Sequence, residues 1–480
     1  MPTSFHPYDL SPEILKALSH LTFTKPTDVQ AEVLPYALKG RDLLVQAETG
    51  SGKTAAFVIP ICEAVKWEEN QPQALILTPT RELAAQIQQD ATDIGRLKRI
   101  KATAIYGKQP FAKQKEQLKQ KNHMVVGTPG RLLDHLEKGT FPLAQLRYVV
   151  VDEADEMLNR GFLKQVESIL KRLPSPRITM LFSATLPADV VELSATYMTN
   201  AKQIQIASTA VMTEAITHMA IAVREREKEK TFQAITTVEN PDSCIVFCNT
   251  QEKVDALFKH LRREGYPCNK LHGGLYQRDR FAVMNAFKRR VFRYLIATNV
   301  AARGIDIENV PLVIHYDLPN ETESYVHRSG RTGRAGASGK AIAFFTEAEE
   351  ERLKEIEDYI GFTITRRETP TSEAVKRAEK AFRAKLAEQP QEKEATHQAL
   401  NEGITKLYFN GGKRKKLRAV DFVGTIAKLD GVEATDIGII TIEETRSFVE
   451  ILNGKGPLVL RAMTHTPVKG KPLKVYQAKE

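Results

Sequence analysis

The sequence has no apolar stretch approaching the roughly 18 residues that a membrane-spanning helix needs, so no helical membrane association is expected. Its N-terminus, MPTSFHPYDLSPEIL, lacks a positive region followed by an apolar core; no secretory signal is read and the protein is placed in the cytoplasm. Cysteine is scarce. Cys62, Cys244, Cys248 and Cys268 stand in apolar surroundings without paired metal-ligand spacing, which argues against a zinc site or a disulfide framework and for reduced thiols that only pack. What remains is a chain of 480 residues, 42% apolar, long enough for two or three domains. Its net charge of +10 is unevenly spread. Residues 406–480 carry 14 Lys/Arg against 8 Asp/Glu, more than half of the excess, which suggests a module for a polyanion.

Strand-like apolar runs alternate with helix-length segments, the pattern of parallel α/β sheets, and they do so twice. The first half offers DLLVQAETG, QALILTPTREL, HMVVGTPGR, YVVVDEAD and ITMLFSATLP; the second offers SCIVFCNTQ, RYLIATNVAARG, LVIHYDL and KAIAFFTE. Several of these runs end in Thr or Ser at the point where a parallel sheet places ligands. Two similar lobes are therefore expected, over 1–206 and 219–365, with a hinge of small and polar residues at 207–218. A charged stretch with apolar residues at helical spacing fills 366–403 as a helical extension and linker, and a third domain occupies 404–480.

The chemistry begins at AETGSGKT, Ala47 to Thr54. Gly50, Ser51 and Gly52 let backbone N–H groups turn toward phosphates, Lys53 brings a point charge to them, and the Thr54 hydroxyl suits Mg²⁺. A strict P-loop opens with Gly where Ala47 stands, but DLLVQ before it and AAFVIPICEAV after it supply the strand and helix that the loop requires. In YVVVDEAD, Asp152 and Glu153 follow an apolar strand, so one carboxylate can hold hydrated Mg²⁺ and the next can orient or deprotonate water. The second half has no P-loop. It has YVHRSGRTGRAG, in which Arg331 and Arg334 can either reach the other lobe's phosphate or line a nucleic-acid loop.

Together these residues resemble the DEAD-box RNA helicases over residues 5 to about 360; Asp152, Glu153, Ala154 and Asp155 spell the tetrapeptide that names the family. The resemblance implies two RecA-like parallel-sheet domains in tandem, an α/β fold class, followed by a small α+β RRM-like domain. It implies that FTKPTDVQ recognises adenine, with Phe23 stacking on the base, Gln30 reading its edge and Phe5 packing behind. It assigns Lys53 and Thr54 to the phosphates and Mg²⁺ of ATP, Asp152 to the metal, Glu153 to water, Asp306 to the ribose, and Arg331 and Arg334 to action across the cleft. Asp155, Ser183, Ala184, Thr185 and His327 would couple hydrolysis to unwinding. RNA backbone contacts are implied for Pro79, Thr80 and Arg81, for Thr128, Gly130 and Arg131, for Gln277 and Arg280, and for Thr298, Arg303 and Gly304. Such a grip on phosphates and sugars reads no sequence. Two residues depart from the pattern: Lys108 in YGKQ replaces a common glycine, and Asn299 in ATNVAARG replaces a usual Asp.

The tail reads as β-α-β-β-α-β, with KLYFNGG first, DIGIITIEE and RSFVEIL as a central strand pair, and KPLKVYQA last, which resembles an RNA-recognition domain. RSFVEIL lacks the glycine and spaced aromatics usual there, leaving Tyr408 and Phe448 as stacking candidates and Lys413, Arg414, Lys415, Lys416 and Arg418 as phosphate contacts. A core followed by this tail resembles the bacterial DbpA-type subfamily. That resemblance implies a monomer whose partners are RNA, 23S ribosomal RNA at hairpin 92, and pre-50S particles. An ATP-gated RNA clamp or general RNA chaperone with a nonspecific anchor stands as the alternative.

Overall fold

The computed structural model describes residues 2–48, 50–206, 215–299, 310–333, 338–388 and 403–478. The chain divides into two compact units, residues 1–206 with 396–480, and residues 207–395.

Seven parallel strands form the first lobe: β1 (Leu43–Gln46), β2 (Ala74–Leu77), β3 (Ala102–Ile105), β4 (Met124–Gly127), β5 (Tyr148–Val151), β6 (Ile178–Ser183) and β7 (Lys202–Gln205). Their order is β3-β4-β2-β5-β6-β1-β7. Alternate residues of one strand enter different cores: Ala74 and Ile76 of β2 join the cluster with Val45 and Phe182, whereas Leu75 and Leu77 join the cluster with Val149 and Leu181. Helices cover both faces, which is why these strands read as unbroken apolar runs and not as alternating ones.

The second lobe repeats the plan with β8 (Ile216–Ala222), β9 (Cys244–Cys248), β10 (Cys268–Leu271), β11 (Tyr294–Thr298), β12 (Leu312–His315), β13 (Gly339–Phe345) and β14 (Thr365–Arg366). Its order, β10-β11-β9-β12-β13-β8-β14, is the same permutation strand for strand. All four cysteines are free and buried, as their settings predicted. Of the expected hinge, residues 207–214 lie outside the described residues, and Ile216–His218 already begin β8 beside β13. The charged extension forms a helix, Ser372–Ala387, that packs back on this lobe. Phe382 lies 5.6 Å from the Tyr266 ring, and Lys385 pairs with Asp242 at 2.6 Å.

The C-terminal domain is an antiparallel sheet of β15 (Thr405–Phe409), β16 (Ile437–Ile442), β17 (Ser447–Ile451) and β18 (Val475–Gln477), in the order β16-β17-β15-β18. Helices Ala419–Ile426 and Gly456–Met463 complete the expected β-α-β-β-α-β order. Leu407, Phe409, Val449 and Ile451 point into a core with Phe422, Ile426 and Val459. The expected central pair is half right: β17 is central, and β16 is an edge strand. Among the described residues no helix is long and apolar enough to cross a membrane.

Candidate functional site

The candidate site begins where β1, β5 and β6 end, at the carboxyl edge of the first sheet. After β1 the chain turns through Gly50 (φ 82°) and Gly52 (φ 94°) before helix Lys53–Ala64 begins. Gly52 has no substitute: a Cβ there would lie 2.6 Å from Gln30 Nε2 and 2.7 Å from Thr27 Oγ1. The same closeness ties the adenine-motif candidate to the loop, because Gln30 Nε2 donates to the Gly52 carbonyl at 3.1 Å and Thr27 N–H donates to Gln30 Oε1 at 3.1 Å. Gln30 is buried, Phe23 remains 38% exposed and open to a stacking partner, and Phe5 packs inside the lobe 1 core. Ser51 Oγ donates to the Glu48 carbonyl at 2.7 Å. Lys53 is buried with its Nζ on the Ala47 carbonyl at 2.9 Å, and Thr54 beside it is half-buried.

Asp152 follows β5 and is buried; burial pushes its carboxyl above the usual carboxylate range, against the downward pull of Lys53 and of the Glu153 N–H, which donates to Oδ1 at 3.0 Å. Glu153 adopts left-handed backbone (φ 54°) and caps the helix Ala154–Asn159. Asp152 and Thr54 offer only oxygen donors, and the cost of burying Asp152 is one that a divalent cation repays, so this pair suits Mg²⁺.

Asp155 ties the helix Ala154–Asn159 to the turn that follows β6. Asp155 Oδ2 accepts from Ala184 N at 3.2 Å, Thr185 N at 2.9 Å and Thr185 Oγ1 at 3.1 Å, while Asp155 N–H donates to Ser183 Oγ at 3.1 Å. Gln46 Nε2, not singled out in the sequence, adds a bond to the Ala184 carbonyl at 3.3 Å.

The RNA candidates of this lobe sit at the same edge. Pro79 precedes Thr80, which caps helix Arg81–Gly95 by accepting from Leu83 N at 3.2 Å. Thr128 precedes helix Pro129–Glu137, on which Gly130 is exposed. Arg131 donates to the Gln109 carbonyl at 2.8 Å and to Gln114 Oε1 at 2.7 Å, tying its motif to YGKQ. Within that motif Lys108 has φ 61°, the region that favours glycine, so the departure noted in the sequence falls where a glycine costs least.

In lobe 2, Gln277 and Arg280 are buried in the first turn of helix Gln277–Lys288, and Thr298 closes β11. His327 lies on helix Thr322–Ser329, and its carbonyl accepts from Arg331 Nε at 3.2 Å. Asn299 accepts from the buried Arg328 Nε, whose Nη1 holds the Asp317 carbonyl at 2.8 Å and Nη2 holds Asn249 Oδ1 at 2.9 Å. The Asn at this position thus keeps the acceptor and drops the charge. Asp306, Arg303, Gly304 and Arg334 lie outside the described residues.

In the C-terminal domain, Lys413–Lys415 form a short turn in which Lys413 and Arg414 are exposed, followed by exposed Lys416 and Arg418. The turn is held by Lys413 N and Arg414 N, each 2.9 Å from the carbonyls of Glu443 and Glu444. Gly412 permits this approach, since a Cβ there would lie 2.0 Å from the Glu443 oxygen. Register aligns Thr441, Phe448, Tyr408 and Tyr476 across all four strands on the face away from the core. Tyr408 stands 5.7 Å from Phe448 and 6.2 Å from Tyr476. Tyr476, on the last strand, was missed in the sequence because its partners are visible only in the register.

Residues 27–193 match the DEAD/DEAH box helicase family, residues 227–336 the helicase conserved C-terminal domain, and residues 406–477 the DbpA RNA binding domain. The chain is 60% identical over 474 residues to the ATP-dependent RNA helicase DbpA of Bacillus subtilis, covering 99% of each chain. It is 40% identical over 371 residues to the DEAD-box ATP-dependent RNA helicase CshA of the same organism, covering 77% of this chain and 75% of that one. In structure it resembles Saccharomyces cerevisiae Dbp5 bound to RNA and ADP BeF3, with a TM-score of 0.71 and 32% identity over 79% of this chain and 100% of the other.

Proposed function

The chain belongs to the DbpA-type DEAD-box ATP-dependent RNA helicases, and from that membership we propose that it acts as a cytoplasmic monomer that opens short RNA duplexes beside hairpin 92 of 23S ribosomal RNA during assembly of the large subunit. Phe23 and Gln30 select the adenine of ATP, the 47–54 loop and Lys53 hold its phosphates, and Glu153 orients and deprotonates the attacking water. Thr54 and Asp152 hold Mg²⁺, which when bound neutralises phosphate charge. Asp306 takes the ribose, and Arg331 and Arg334 complete the site from the second lobe, so that hydrolysis follows closure. The bonds from Asp155 to the Ser183–Thr185 turn, with His327 in the second lobe, pass the state of the nucleotide to residues that grip RNA by its backbone.

That backbone grip is blind to sequence, and the C-terminal domain supplies the address. The observation that carries the targeting is the sheet face of this domain turned away from its core, where an aromatic row lies across the strands and the same small domain carries a turn of exposed cations. The test compares RNA-stimulated ATP hydrolysis and strand displacement with intact 23S rRNA, a hairpin-92 fragment joined to a short duplex, and unrelated RNA of equal length. Stimulation by the first two well above the third is expected. Equal stimulation by all three would leave a general RNA chaperone, and stimulation without strand displacement would leave an ATP-gated clamp.

A further inference from the structure

The first lobe's sheet ends at β3 and the C-terminal domain's sheet ends at β16, and within their common unit the turn Arg96–Lys98 that leads into β3 lies against β16. The joint is made by side chains more than 300 residues apart. Arg99 Nε donates to the Ile437 carbonyl at 2.8 Å and its Nη2 donates to the Ala434 carbonyl. Trp67 packs against the apolar core of the C-terminal domain, with the Arg99 guanidinium 5.5 Å and the Lys121 ammonium 4.0 Å from its ring centroid. Arg99 holds this position with φ 57°, a conformation that disfavours any residue carrying a Cβ, so its side chain is kept there against local preference.

The contact then runs into the RNA face. Lys101 Nζ donates to Gln120 Oε1 at 2.8 Å and to Thr441 Oγ1 at 3.4 Å, and Thr441 is the first member of the row that continues through Phe448, Tyr408 and Tyr476. Lys413 Nζ reaches back to the Lys119 carbonyl at 2.9 Å, and Lys406 lies 5.4 Å from the Phe448 ring. Among the described residues no carboxylate stands at ion-pair distance from Lys101, Lys406 or Lys413. Burial, then the like charges of Lys406 and Lys413, draw the Lys101 ammonium down to about 8, with Glu443 opposing. Two domains thus bring three cations together at one seam.

We propose that lobe 1 contributes to the RNA face of the C-terminal domain: docked through Trp67 and Arg99, the two domains bind the phosphate backbone beside the captured hairpin as one surface that runs over Lys101, Lys406 and Lys413. The inference rests on the reading that the C-terminal domain holds an RNA hairpin. It makes Lys101 a phosphate contact outside every helicase motif of the core, and it makes RNA strengthen the docking by relieving the repulsion across the seam.

Trp67 is the only tryptophan in the chain, so its emission reports the seam directly. The experiment uses the full chain, a hairpin-92 RNA with its flanking strands, and three variants: Lys101→Gln, Arg99→Ala, and the double change Arg414→Gln with Lys415→Gln. Lys101→Gln should weaken binding about threefold to tenfold near 0.1 M salt and lower the slope of log affinity against log salt by about one, the value of one lost phosphate contact. Arg99→Ala should shift Trp67 emission to the red and lower the same slope. An unchanged slope for Lys101→Gln, with binding weakened by the Arg414/Lys415 change, would overturn the shared surface and leave the hairpin reading standing. Unchanged Trp67 emission in Arg99→Ala would overturn the docking. Unaltered binding in the Arg414/Lys415 variant would overturn the hairpin reading itself.

Discussion

Glu153 owes its place to the backbone. Left-handed φ at this residue turns the chain from β5 into a short helix, so that Asp152 stays buried beside Lys53 while the next carboxylate is carried outward and half-buried. Replacing Glu153 with Gln keeps shape and hydrogen bonding and removes the base. ATP and RNA binding should persist while multiple-turnover hydrolysis falls by about 10²-fold to 10⁴-fold, the usual range for losing a general base. Measured turnover near the parent rate would move the water-activating role to another residue. Two other residues show what single positions disclose. Lys108 and Asn299 are visible in the sequence as departures, and the structure gives each a physical meaning. Lys108 occupies left-handed backbone at a cost of about 1 kcal/mol relative to glycine, and Asn299 gives the buried Arg328 a neutral acceptor.

Elements were legible in proportion to their burial. The nine strands read as apolar runs, among them β2, β5 and β9, are covered on both faces. The five that were not read are edge strands or carry polar residues. In β7 only Ile204 is buried, β14 has two residues, and β10 sets Asn269 and Lys270 between its buried ends. β8 went unread because in the sequence it follows directly on a segment of small and polar residues and was counted with it as hinge. The candidate ATP-site residues of lobe 1 could be picked out because phosphate chemistry favours certain residue types at fixed spacing. The seam around Trp67 could not, because nothing local marks a partner 338 residues away. One histidine ties that edge together: His123 Nδ1 accepts from Lys101 N–H at 2.9 Å, and its Nε2 donates to the Trp67 carbonyl at 3.2 Å. The bond accepted by Nδ1 needs the neutral ring, and burial lowers the His123 pKa from 6.5 to about 4 against the opposing pull of the Trp67 carbonyl. The unfolded chain takes up this proton near 6.5 and the folded chain only near 4, so the stability from this group is complete above 6.5 and is lost as pH falls toward 4. The loss is at most about 3 kcal/mol, and His135, lowered to about 4 by its own burial, acts in the same direction. Urea unfolding of lobe 1 from pH 7 to 4.5 should show this decline, and His123→Gln should flatten part of it. Identical pH profiles for the two proteins would place the acid sensitivity elsewhere.

At the scale of the whole molecule, two lobes share one strand order, and on the proposed reading they divide the labour: the loop after β1 in one takes the nucleotide, and the arginine segment after β12 in the other completes the site. On the same reading the lobes grip RNA by its backbone, which carries no sequence information, and selectivity comes from the appended domain. On that reading, holding one RNA site would keep the neighbouring duplexes close to the core, at a local concentration on the order of millimolar for a short connection. Weak, unselective contacts to the lobes then act almost only on RNA next to the anchor. Ending the chain after residue 403 should leave nucleotide binding intact, with the core's fold checked by circular dichroism, and should reduce the ratio of ATPase stimulation by 23S rRNA to that by unrelated RNA to about one. The absolute stimulation by 23S rRNA should fall with it, because the local-concentration effect disappears along with the selectivity. A truncated chain that still prefers 23S rRNA would place the address within the lobes and reduce the C-terminal domain to a general anchor.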